Sequence, residues 1–135
     1  MFRKGGDISA RLEWLGSVVV RVAGELDESS AERKHVVMQL LRSGTACGAN
    51  YEEARAAESR ADFVHKVSVA AKEARETTFW LRMLQSCGSQ VERSSSASST
   101  ASGSVAAAEL ARAINEAEQL AAILAASART ARRNG

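Results

Sequence analysis

Apolar residues return at alternating spacings of three and four along most of this chain, and no proline interrupts them. That pattern is the signature of one-sided helices, and the lack of proline lets them run long. Ile8, Leu12, Leu15, Val19, Val22 and Leu26 form the stripe of a first helix over about 8–26, ended by Gly24 and Asp27-Glu28. Ser29 or Ser30 can cap a second helix over about 30–57, with Glu32 in its first turn and Val36, Val37, Leu40 and Leu41 on its apolar side. Ser59-Arg60-Ala61-Asp62 resembles a capping box with Asp in the Glu place, and Phe63, Val67, Ala70, Ala74, Thr77, Leu81 and Leu84 carry a third helix over about 60–87. Cys87-Gly88 is expected to stop it, because glycine favours a helix C-terminus. Residues 89–103 turn serine-rich and should form a flexible linker that buries almost nothing. A fourth helix over about 104–132 follows Leu110, Ile114, Ala117, Ala121, Leu124 and Ala128. Its last turn holds Arg129, Arg132 and Arg133, where the helix macrodipole favours cations.

At 135 residues the chain suits a single domain, 1–135, and its short connections imply antiparallel neighbours. The expected fold is therefore all-α, an antiparallel up-down four-helix bundle that oligomerises. Eighteen Lys plus Arg against sixteen Asp plus Glu leave a formal charge of +2, so bulk charge names no partner. No stretch approaches the roughly 18 apolar residues of a membrane span, and the charged start is unlike a signal peptide. A cytoplasmic protein without membrane partner is expected, with Cys47 and Cys87 as free thiols.

Counting outward from the turn near residue 59 puts residues level on the second and third helices when their numbers sum to about 117. Gly44 and Gly48 are then expected to face Ala70, Ala71 and Ala74, small against small, which would justify two glycines in a helix interior. Asn50 and Tyr51, polar groups on the helix that carries the glycines, are expected to make an interhelical hydrogen bond, with a ligand contact as the alternative. Trp14, Phe63, Phe79 and Trp80 lie in apolar segments and are read as core or subunit packing.

Chemistry finds little support. Glu32-x-x-His35 and Asp62-x-x-His65 place a carboxylate and a histidine one turn apart, as di-metal bundles do, but the same counting sets the two histidines roughly 25 Å apart. Neither cysteine has a neighbouring base in sequence, and Glu52 and Glu53 point about 100° apart on a helix. No glycine-rich phosphate loop or zinc pattern occurs. The expectation is no enzyme, no catalytic residue, no metal and no cofactor.

One segment is more specific. Arg42-Ser43-Gly44-Thr45-Ala46-Cys47-Gly48-Ala49-Asn50-Tyr51, followed by Glu53-Ala54 and by Ser59 to Lys66 with Asp62 and Phe63, resembles the bacterial four-helix-bundle proteins encoded in 23S ribosomal RNA intervening sequences. The resemblance continues through Lys72-Glu73-Ala74-Arg75-Glu76-Thr77 and Trp80-Leu81, and returns over Glu118 to Arg132. It implies a four-helix bundle assembled into a homopentamer, without established activity, and a relationship to the accessory variability determinant of diversity-generating retroelements, which works with a reverse transcriptase and nucleic acid. The serine-rich segment is longer than the family's, and the near-neutral charge departs from a basic barrel.

From these readings the expected function is a non-enzymatic homo-oligomeric scaffold or adaptor for RNA, DNA or a nucleic-acid-processing protein. Lys66, Lys72, Arg129, Arg132 and Arg133 are the expected phosphate contacts, which would position rather than specify. The alternative is a purely structural or protein-binding module in which these cations satisfy helix ends and carboxylates. Salt dependence of binding separates the two.

Overall fold

The computed structural model describes residues 4–26, 30–94 and 107–134, with side chains for all of them except 4–6 and 88–94. Four helices make up these residues, and no strand occurs among them: α1 (Lys4–Glu25), α2 (Ala31–Arg55), α3 (Arg60–Ser94) and α4 (Ala107–Arg133). None is long and apolar enough to cross a membrane. Two starts are fixed by serines. Ser30 Oγ accepts from Arg33 N at 3.2 Å and Ser59 Oγ accepts from Asp62 N at 3.1 Å, each occupying a first-turn amide that has no partner within its helix.

Helix α3 passes through Cys87-Gly88 and continues to Ser94, so the expected stop at glycine does not occur. A glycine inside a helix costs only about 1 kcal/mol, and the good helix formers Gln90, Glu92 and Arg93 that follow it favour continuation. The expected linker at 89–103 thus begins inside α3, and from residue 95 onward it lies outside the described residues.

All four helices give side chains to one core, among them Leu12, Leu15 and Val19 from α1, Leu40 and Cys47 from α2, Val67 and Leu81 from α3, and Leu120 and Leu124 from α4. Each helix packs on two others: α1 on α2 and α4, and α3 on α2 and α4. The surface between α1 and α2 and the surface between α3 and α4 are therefore different seams bordered by different helices.

The two glycines of α2 face α1, not the alanines of α3. A Cβ at Gly44 would lie 2.6 and 2.8 Å from the Val19 methyls, and one at Gly48 would lie 3.6 Å from Leu12 Cβ. The level of the α2–α3 pairing was not the fault, since Arg42 reaches Glu73 and Lys66 reaches Glu53. The error is rotational. At 100° per residue Gly44 stands on nearly the opposite side of α2 from Arg42. Ala70, Ala71 and Ala74 are buried in the common core instead.

Candidate nucleic-acid interface

Part of the motif gathers on the α2–α3 seam. Arg42 donates from Nη1 to both Glu73 carboxylate oxygens, at 3.2 and 3.1 Å, and from Nη2 to Glu76 Oε1. Trp80 Nε1 donates to the same Glu76 oxygen at 3.2 Å, and His35 stands edge-on to the Trp80 ring at 5.9 Å. The Arg42 hydrogen bond, aided by Trp80, holds the Glu76 carboxyl below its ordinary range. Beneath this cluster lies Cys47, fully buried, with Sγ 3.2 Å from Ser43 O and 3.6 Å from Thr77 Oγ1. Burial pushes its thiol up to about 11, the reverse of what a nucleophile needs.

The remaining motif residues are structural. Asn50 donates to Ala46 O at 2.9 Å inside its own helix, so the expected interhelical bond is not made. Tyr51 is buried, which raises its phenol, and Phe63 packs against the core. Asp62 receives the Ser59 cap, and Glu53 takes Lys66 Nζ at 2.7 Å. Of the four large aromatics read as packing residues, Trp14, Phe63 and Trp80 are partly buried against the core, whereas Phe79 is 55% exposed. Arg112 lies over the Trp14 ring at 4.8 Å. Among the described residues no three His, Cys, Asp or Glu side chains come together as metal ligands.

The expected phosphate contacts divide. Lys66 stands apart on the α2 side of α3, committed to Glu53, whose hydrogen bond raises its pKa. Lys72, Arg129, Arg132 and Arg133 are exposed, and α3 and α4 bring them toward one end of their seam. On α3, Ala61, Val64, Ser68, Lys72, Arg75, Phe79 and Arg82 recur at helical spacing, and on α4 so do Glu118, Ala122, Ala125, Arg129 and Arg132. Contacts between the two rows fix their level: Arg132 Nη2 donates to Ser68 Oγ at 3.1 Å, Arg60 Nη1 to Ala131 O at 3.4 Å, and Arg82 to Glu118. An open hollow at this end is lined by Arg60, His65 and Arg132.

Arg75 within this row and Arg60 just before it were missed in the sequence. Their signal was available, because Lys72 and Arg75 lie one turn apart and Arg60 precedes the row at the helix start. Among the described residues, Arg60, Lys72, Arg75, Arg129, Arg132 and Arg133 have no carboxylate within ion-pair distance, unlike Arg11, Arg21, Arg42 and Arg82. Cations left unbalanced on one seam create a local positive field that the formal charge of +2 conceals.

Over residues 15–102 the chain is similar to the family described as 23S rRNA-intervening sequence protein. A solved structure of a protein of unknown function from the S23 ribosomal protein family of Bacteroides thetaiotaomicron is similar in fold, with a TM-score of 0.68 at 26% identity over 94% of this chain and 99% of that one. No curated protein matches the chain.

Proposed function

The chain belongs to the 23S rRNA-intervening sequence protein family, and from that premise we propose that it is a non-enzymatic, homo-oligomeric scaffold that holds RNA or DNA on the basic end of its α3–α4 seam. The order of the cross-helix contacts supports an antiparallel up-down bundle: Val19 lies by Gly44 and Leu12 by Gly48, while Arg21 pairs with Glu109 and Arg11 with Glu116. A pentameric ring, as the family resemblance implies, would repeat the basic end around an axis in the cytoplasm. A nucleic-acid-processing protein could then be recruited to the same strand.

The observation that carries this reading is the set of exposed cations, Arg60, Lys72, Arg129, Arg132 and Arg133, with no carboxylate partner among the described residues. Phosphates would supply the missing anions and release counterions. A second reading, a protein-binding module without nucleic acid, is favoured by Lys66, whose ammonium serves Glu53 across the α2–α3 seam. It is favoured also by the place of Arg132 and Arg133 in the last turn of α4, where the macrodipole suffices to explain them.

Fluorescence anisotropy with labelled single-stranded RNA, duplex DNA and an RNA–DNA hybrid, at low and near-physiological salt, separates the two. Binding that falls steeply with salt and weakens when Arg129, Arg132 and Arg133 are changed together to Ala supports the scaffold for nucleic acid. Absence of binding at low salt sinks it and leaves the protein module.

A further inference from the structure

Between α1 and α2 runs an open groove bordered by Gly16, Gly44 and Gly48, with Val20, 51% exposed, on its wall. Only Gly44 is demanded by packing inside the chain. A Cβ at Gly16 would meet nothing nearer than Gly44 O at 3.8 Å, and one at Gly48 would make ordinary contact with Leu12 at 3.6 Å. Each of these two glycines costs about 1 kcal/mol of helix propensity that no close internal approach offsets. What their missing side chains do provide is the groove. Its ionisable lining residues, Glu13 and Glu52, are both carboxylates; Glu52 is paired with Arg55 of its own helix, and Glu13 has no ion pair among the described residues.

The α3–α4 seam carries the converse shape and charge. Phe79, 55% exposed, projects beside a hollow bordered by Ala122 and Ala125, with Arg75 one turn before it and Arg82, paired with Glu118, one turn after. An aromatic ridge beside an arginine without an ion pair among the described residues matches an apolar groove beside a carboxylate without one. Because α1 does not pack on α3, nor α2 on α4, the two surfaces occupy separate sides of the molecule and cannot meet within one chain.

We propose that the α1–α2 groove seats the Phe79 ridge of a second copy of this chain, with Arg75 of one protomer facing Glu13 of the next. This assignment rests on the homo-oligomer reading above and names its surfaces. The contact is heterologous: it uses the groove of one protomer and the ridge of the other, leaving one ridge and one groove for further copies, so the chain of contacts either closes into a ring or grows as a filament. The basic end at Arg60, Arg129 and Arg133 lies farther along the α3–α4 seam and stays open.

The test uses two variants of exposed residues in the full chain. Phe79→Asp removes the ridge, and the double change Ser17→Arg with Thr45→Arg fills the groove with bulk and like charge. Native mass spectrometry is expected to give a multimer for the wild type, monomers for each variant, and a complex of two chains when the variants are mixed, since the mixture retains one intact groove and one intact ridge. Circular dichroism checks that both remain helical, and the milder pair Arg75→Glu and Glu13→Arg, each assembly-defective alone and restored together, serves if either does not. A monomeric wild type overturns the homo-oligomer reading itself. Variants that keep the wild-type mass, or that are monomeric yet fail to pair, overturn this assignment while leaving homo-oligomerisation in place.

Discussion

At Gly44 a single hydrogen atom decides how closely α1 and α2 approach. Val19 is fully buried and β-branched, so its methyls have no other well to move into when a Cβ arrives at 2.6 Å. Gly44→Ala is expected to cost roughly 1–3 kcal/mol of overpacking, less about 1 kcal/mol of gained helix propensity. Gly48→Ala meets Leu12 at 3.6 Å and should be neutral or stabilising by up to about 1 kcal/mol. Urea denaturation of the two variants checks the contrast, and adding Val19→Ala to Gly44→Ala should recover part of the loss. That a glycine of this pair marks a close helix approach was legible in the sequence, and it holds at Gly44 but not at Gly48. The neighbour was not, because spacing along one helix fixes a face only relative to that helix and leaves open which of two partners the face meets. A second residue-scale expectation concerns the thiols. With its pKa near 11, Cys47 is thiolate in only about one molecule in a thousand at pH 8, and it is buried, whereas Cys87 is exposed. An aromatic disulfide reagent at that pH should react promptly with one thiol per chain, and with the second only after denaturant is added.

The α2–α3 seam shows what pairs of elements add. Counting outward from the turn at residue 59 brings the right partners together, Arg42 with Glu73 and Glu76, and Glu53 with Lys66, because a short turn leaves the two helices little freedom to slide. The length of α3 was less legible, since Gly88 both lowers helix propensity and suits a helix end, and only the residues beyond it decide which applies. The Arg42–Glu76 pair gives the seam a pH dependence. The Glu76 carboxyl is held below its ordinary 4.5 in the folded protein, so its contribution is complete above that value and is lost as pH falls through the lower folded value. Glu76→Gln removes the titrating group. The urea midpoint of the wild type is therefore expected to fall more steeply than that of Glu76→Gln between about pH 6 and about pH 3, with the two converging at the acid end. Parallel curves would mean that Arg42 is as well served by Glu73 alone.

At the scale of the whole molecule, seams that a single chain leaves unfilled become legible only once all four helices are placed. The heptad pattern identified each core stripe, but Phe79 belongs to an apolar segment and still stands outside the core, since a pattern scores residues and not the space beside them. If the groove and ridge join copies while the basic ends take phosphates, assembly and nucleic-acid binding must be coupled through valence. Several basic ends on one ring engage a long strand together, and the second contact forms at high effective concentration. Both assembly-defective variants should then bind a long RNA roughly 10–100-fold more weakly than the wild type, while a strand too short to reach two subunits binds all three alike. The pair of variants contains its own control. Phe79→Asp adds negative charge and the Ser17 and Thr45 arginines add positive charge, so a purely electrostatic effect would move their affinities in opposite directions, and a loss of valence moves them the same way. Anisotropy titrations with the two strand lengths at one salt concentration make the comparison, and a weakening that is the same for short and long strands would assign the loss to the basic end itself, not to the ring.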